Sequence, residues 1–324
     1  MATGAIYLTE ASPGAPTLSG TNGSLCAVLD WALPQKGWAI EYTATNMRVY
    51  RPPSGNRFRL FVAHDNATTG DARLALLRGC ESATAASLAG ITDPFPTVAQ
   101  VPNNQSTVLV STTASAVARG YRIIVSPTFL VLATDCASAL VASWDLAMFG
   151  DLAGTESADS YATICHVGES STTTTATTSR GMGAVIGSNF SSGKVYFCRS
   201  IDATVKSSRG CLYGGGSTTS VTSFMSTGGA PAMRSGYAGR INREKVGATC
   251  IGSASTTVGA PAVMRRGWVP NVWNPLHSNL GSVTTADNFT DTAYASGSSF
   301  TFAAASSAIA CILETSDTWS PPSG

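Results

Sequence analysis

Gly120-Tyr121-Arg122-Ile123-Ile124-Val125 turns at Ser126-Pro127-Thr128 and returns as Phe129-Leu130-Val131-Leu132-Ala133. Two runs rich in β-branched and large apolar residues flank a Ser-Pro turn, which predicts a hairpin. Both runs are apolar on both faces, so the pair belongs inside a sheet and not at its edge. This is also the most apolar stretch of the chain. Arg122, Ser126 and Pro127 interrupt it, and it is too short to span a bilayer.

Toward the N-terminus the pattern stays β. Met47-Arg48-Val49-Tyr50-Arg51 leads into the turn Pro52-Pro53-Ser54-Gly55-Asn56 and then Arg57-Phe58-Arg59-Leu60-Phe61-Val62-Ala63. Phe58, Leu60 and Val62 point one way; Arg57, Arg59 and Phe61 point the other, the alternation of a strand. Asp71–Arg78 supplies a third strand, and arginines on these strand faces discourage edge-to-edge association. Leu25-Cys26-Ala27-Val28-Leu29-Asp30-Trp31-Ala32-Leu33 predicts a short helix over about 24–33, capped by Asn22 or Ser24 and ended by Pro34. Ala139–Met148 reads equally as strand or helix.

Toward the C-terminus the composition shifts. Ser170–Ser179 and Gly214–Ser220 are Ser/Thr/Gly tracts, and short strands such as Lys194–Cys198 and Ser299–Ala303 lie between loops. The expected fold is mainly β, with antiparallel sheets packed as a sandwich or barrel-like, and one or two short helices. It divides into an N-terminal β domain (1–155) and a C-terminal β-rich domain with Ser/Thr/Gly loops (156–324).

Of 324 residues only 12% are charged, the net charge is +1, and the 20 basic residues are 16 Arg and four Lys. Soluble chains usually carry about a quarter charged residues. A neutral, Ser/Thr-coated surface suits a protein packed among copies of itself. There is no basic stripe for nucleic acid and no polybasic membrane patch. Met1-Ala2-Thr3-Gly4 lacks a basic n-region and an apolar core, so synthesis and assembly in the cytoplasm are expected. The eight cysteines (26, 80, 136, 165, 198, 211, 250, 311) contain no Cys-x-x-Cys pair. That spacing points to buried reduced thiols over a zinc site, with disulfides the alternative.

Candidate chemistry is sparse. His64 precedes Asp65 at a strand end, and His166 adjoins Cys165 but faces the opposite way on a strand. His277 ends the aromatic segment Trp268–His277. Gly187–Lys194 has the wrong spacing for a phosphate loop, and Ser191-x-x-Lys194 matches a nucleophile motif in letters only. Asp145 with Asp151, and Asp287 with Asp291, are the carboxylate pairs that glycosidase chemistry would call on; turn and cap roles are the plainer reading. The sequons at Asn66 and Asn288 carry meaning only in a secreted chain. No cofactor or metal is expected.

Three segments carry a resemblance. They are Gly14-Ala15-Pro16-Thr17-Leu18-Ser19-Gly20 with the apolar run to Asp30; Gly37-Trp38 leading to Thr45–Arg51 and Phe58–Val62; and Arg266-Gly267-Trp268-Val269-Pro270-Asn271-Val272-Trp273-Asn274-Pro275-Leu276-His277. Together they resemble a family of virion structural proteins of tailed bacteriophages, with Phe149-Gly150-Asp151 a weaker match. Leu33 to Gly37 joins the first two segments directly where the family often carries an inserted module. Asn271 stands where the family has glycine, so a positive φ there would have to be borne by Asn. The resemblance implies a virion location and no catalysis. The expectation is a structural component assembled in the host cytoplasm with copies of itself and other virion proteins. It would sit on the tail or neck or decorate the capsid exterior. A glycan-reading tail module and an envelope-degrading enzyme are the alternatives. Arg57, Arg59, Arg265, Arg266, Trp268 and Trp273 are the expected interface or core anchors.

Overall fold

The computed structural model describes residues 4–100, 106–135, 144–154, 159–167, 195–200, 203–214, 243–251, 263–275, 288–291, 298–306 and 309–320. The described chain is mainly β. A first group comprises β1 (Ile6–Thr9), α1 (Ser24–Ala32), β2 (Ala39–Ala44), β3 (Met47–Arg51), β4 (Arg59–Ala63), α2 (Asn66–Thr69), β5 (Leu74–Ala83), β6 (Ile91–Phe95) and β7 (Thr107–Leu109). Next come β8 (Tyr121–Val125), β9 (Phe129–Asp135), β10 (Trp144–Asp151), β11 (Thr163–Val167), β12 (Val195–Arg199) and β13 (Lys206–Gly214). The last are β14 (Arg243–Ile251), β15 (Val263–Pro275), β16 (Asn288–Asp291), β17 (Ser298–Ser306) and β18 (Ile309–Glu314).

The strands form two antiparallel sheets. The small one runs β2-β3-β4-β5-β6, with β7 pairing β5; the large one runs β1-β8-β9-β10-β11-β12-β13-β14-β15-β18-β17-β16. The large sheet ends at β1 and β16, so it is an open sheet and not a barrel. The expected 155/156 boundary falls between two of its hydrogen-bonded neighbours, because β10 and β11 pair from Ala147↔Val167 to Asp151↔Thr163. The composition shift there marks a change in loop content while one ladder continues through it.

The β8–β9 hairpin forms as its sequence requires, in register from Tyr121↔Thr134 to Val125↔Leu130. Its two apolar faces serve two different cores. Ile123, Val125, Leu130 and Leu132 join α1 and the inner face of the small sheet. Ile124, Phe129, Val131 and Ala133 pack on the opposite face, against Val269 and Val272 of β15 and Leu313 of β18. The far end of the large sheet therefore folds back over its own middle, and the Ala153–Trp268 bridge ties the two parts together. A third cluster (Val49, Phe61, Ala63, Leu76, Cys80) lies on the outer face of the small sheet. Burying the central strands on both sides removes about 25 cal/mol of unfavourable hydration per Å² of apolar surface, which drives this layering.

Two local expectations change. Neither Asn22 nor Ser24 caps α1; the cap is Gly23 at φ +81°, where an added Cβ would sit 2.4 Å from Asn46 Oδ1. Asn22 Oδ1 instead accepts from Asn66 N–H, and Ser24 Oγ is spent on both backbone groups of Ser19. Arg59 and Arg78 guard no edge, because β4 and β5 are interior strands. The ambiguous Ala139–Met148 stretch is strand from Trp144 onward. The helix ends at Ala32 and passes into a 3₁₀ turn over Leu33–Lys36. Among the described residues no helix is long and apolar enough to cross a membrane.

Candidate functional site

A chain of charged groups runs from the outer face of the small sheet across β5 to the large sheet. Glu41 of β2 receives Arg51 at 3.1 Å and Arg59 at 2.9 Å. Arg59 also donates to the backbone carbonyl of Glu81 on β5. The Glu81 carboxylate crosses to the large sheet and takes both Nε and a terminal nitrogen of Arg199, at 2.5 and 2.6 Å. The Arg199 carbonyl accepts from Arg266, whose guanidinium grips Asp159 through two bonds. Such bidentate guanidinium–carboxylate pairs fix geometry as well as charge. The Glu41 hydrogen bond raises the Arg59 pKa above its usual value, and that of Glu81 does the same for Arg199.

An aromatic file reaches the same chain of groups. Trp38 meets Phe149 edge-on, Phe149 stacks with Phe95, Phe95 meets Phe58, and Phe58 stacks on Tyr161 at 6.1 Å. Arg199 lies over the Tyr161 ring at 4.8 Å. Phe58 and Arg199 both engage this ring. Lys206–Asp93 and the Gln100–Ser207 pair extend the clamp between β6 and β13.

The six sequence-selected residues separate by role. Arg59 and Arg266 join the one ion-pair chain. Arg266 is 2% exposed and lies 4.6 Å over the Phe197 ring. Trp273 is buried, donates to Glu314 Oε2 at 2.9 Å and meets Phe300 edge-on. Trp268 is half-buried and exchanges both backbone bonds with Ala153. Arg57 is exposed, precedes β4 and has φ +61°, and Asp151 accepts from the preceding Asn56 N–H. Arg265 pairs with Thr249 in register, and its side chain lies outside the described residues. Asn271 does take the left-handed conformation, at φ +61°, and its amide donates to the Glu314 carbonyl.

The titratable groups considered for catalysis are mostly held by backbone. His64 is fully buried; its Nδ1 accepts from Leu25 N–H at 3.1 Å, so the proton sits on Nε2, which donates to the Ala72 carbonyl at 2.8 Å. This ring, not a side chain of the helix's own first turn, satisfies an orphan N–H of α1. Burial lowers its pKa below 6.5, against smaller opposing effects of the Ala72 bond and Asp65. Asp145 accepts from Leu109 N–H and its neighbour's N–H. Asp151 accepts from Asn56 N–H and Thr163, with its pKa raised by burial. The two are six residues apart on β10, about 20 Å at roughly 3.3 Å per residue. Glycosidase carboxylates stand about 5–9.5 Å apart, so this pair cannot act as one.

Cys26, Cys80, Cys165 and Cys198 are free and buried. Burial pushes the Cys26 thiol to about 11 and the Cys80 and Cys165 thiols to about 12, which leaves them un-ionised at neutral pH. Cys136, His277, Asp287, Ser191 and Lys194 lie outside the described residues, as do the side chains of Cys211, Cys250, Cys311 and Asp291. Among the described residues no group of three or more His, Cys, Asp or Glu could hold a metal ion.

Glu41, Glu81, Asp159, Tyr161 and Arg199 belong to no motif in the sequence. Their ion-pair and ring partners are 10 to 118 positions away in the chain, a separation that no local pattern encodes. No protein-family model matches this chain, and no curated protein matches it.

Proposed function

We propose that this chain is a non-enzymatic structural component of a tailed-phage virion, assembled in several copies on the tail or neck or on the capsid exterior. One observation carries the reading: the reactive groups placed above serve as framework. His64 caps a helix, Asp145 and Asp151 hold backbone N–H groups, and Arg59 and Arg199 close on carboxylates of the same chain. Carboxylates and imidazoles committed in this way stiffen a scaffold and leave little for proton transfer. The low charge of the whole chain agrees with a surface that is partly covered by neighbours.

The test is quantitative mass spectrometry of purified particles, with cryo-electron microscopy to place the chain. Many copies per particle at a fixed position support the reading. Absence from particles, or release of product from purified host envelope by the isolated chain, overturns it.

A further inference from the structure

β5 carries one charge that the described residues leave unpaired. Arg78 is 0% exposed, and among the described residues its Nε and both terminal nitrogens have no hydrogen-bond partner. It stands opposite Phe61 of β4, and strand alternation places it on the outer face of the small sheet with Leu76 and Cys80. The titratable neighbour acting on it is the Cys165 thiol, which burial keeps protonated. Arg48, Arg59, Arg73, Arg199 and Arg266 each close on a carboxylate at 3.0 Å or less.

A guanidinium does not discharge in a protein. An isolated buried ion is expensive, and its five N–H groups in a fixed fork match a planar oxyanion through two parallel bonds. The surrounding Val49, Phe61, Leu76 and Cys80 make a low-dielectric setting in which such a pair is strong. We propose that Arg78 is the recognition group of an oxyanion site on the outer face of the small sheet, taking a phosphate or carboxylate group. The anion enters from the side away from the large sheet, displacing the side chains that close over the guanidinium. The site does not depend on the virion reading.

The experiment compares the full-length protein with Arg78→Met and Arg78→Lys in chloride, inorganic phosphate and acetate. Thermal unfolding, calorimetric titration of the wild type with phosphate and with acetate, and sedimentation are measured in parallel. Three results together support the site. Arg78→Met is at least as stable as the wild type in chloride, because it removes an unpaired charge. Phosphate or acetate raises the wild-type Tm saturably, beyond the general salt effect seen in Arg78→Met. Arg78→Lys weakens the titrated affinity at least tenfold. A second copy's carboxylate as the source is distinguished by self-association that Arg78→Met abolishes while free anions give no heat; that outcome also supports the site. Failure of Arg78→Met to fold overturns the proposal, since it reveals an intramolecular partner. So do equal anion responses in wild type and variant, or no anion heat together with no Arg78-dependent association.

Discussion

At the residue scale His64 shows how a polar group becomes structural. A buried ring that must accept at Nδ1 and donate at Nε2 has no room for a second proton. Its folded pKa lies below 6.5, so between that value and 6.5 the unfolded chain binds more protons than the folded one. The stability it contributes is complete above pH 6.5 and is lost as pH falls through the folded pKa. Unfolding free energy measured from pH 8 to pH 5 should decline in the wild type, and the decline should shrink in His64→Asn, which keeps an acceptor but cannot titrate. An unchanged slope would assign the effect to other groups. Gly55 is the complementary case. It has φ +73°, and a Cβ there would lie 2.0 Å from Asp151 Oδ2. Gly55→Ala should cost about 2 kcal/mol in denaturant unfolding, the order expected for strain at such a position.

At the element scale β15 decides how the large sheet closes. Pro270 and Pro275 punctuate it, and Asn271 turns it in the left-handed region, yet it pairs with both β14 and β18. Trp273 fills the space against Phe300 and satisfies its indole N–H on Glu314. Trp273→Ala should cost about 3–5 kcal/mol of folding stability by opening a cavity and orphaning the carboxylate. Trp273→Phe, which keeps the ring packing, should recover a large part of that in the same thermal assay. The Arg266–Asp159 pair ties the same strand to the segment before β11. Asp159→Ala alone should destabilise by about 3–5 kcal/mol, and Asp159→Leu combined with Arg266→Met by clearly less, because breaking one side strands a buried charge. Equal losses in the single and double variants would mean that packing dominates over charge.

At the scale of the whole molecule the two cores share the same strands. Residues after 155 supply Cys165, Val167, Tyr196 and Cys198 to one core and Ile164, Val195 and Phe197 to the other. A fragment of residues 1–155 would leave β8–β10 uncovered on the second face and part of the first open. It should be molten or aggregated by near-ultraviolet dichroism and gel filtration. The intact chain should unfold in one transition seen alike by both probes. A fragment with native-like dichroism and its own sharp transition would support the two-domain division.

Periodicity alone determined much of this protein. The alternation in Arg57–Ala63 and the doubly apolar hairpin of residues 120–133 require interior antiparallel strands, because a period of two allows each face only one environment. The helix near 24–33 follows from equally local rules. The tertiary structure alone decided which polar groups meet. Glu81 and Arg199, Asp159 and Arg266, and His64 and the first turn of α1 are brought together by sheet packing across long stretches of chain. It also decided that Arg78, written among leucines like any strand-flanking arginine, is enclosed without a hydrogen-bond partner among the described residues. Burial depends on what folds over a residue, and no pattern along one strand records what covers its outer face.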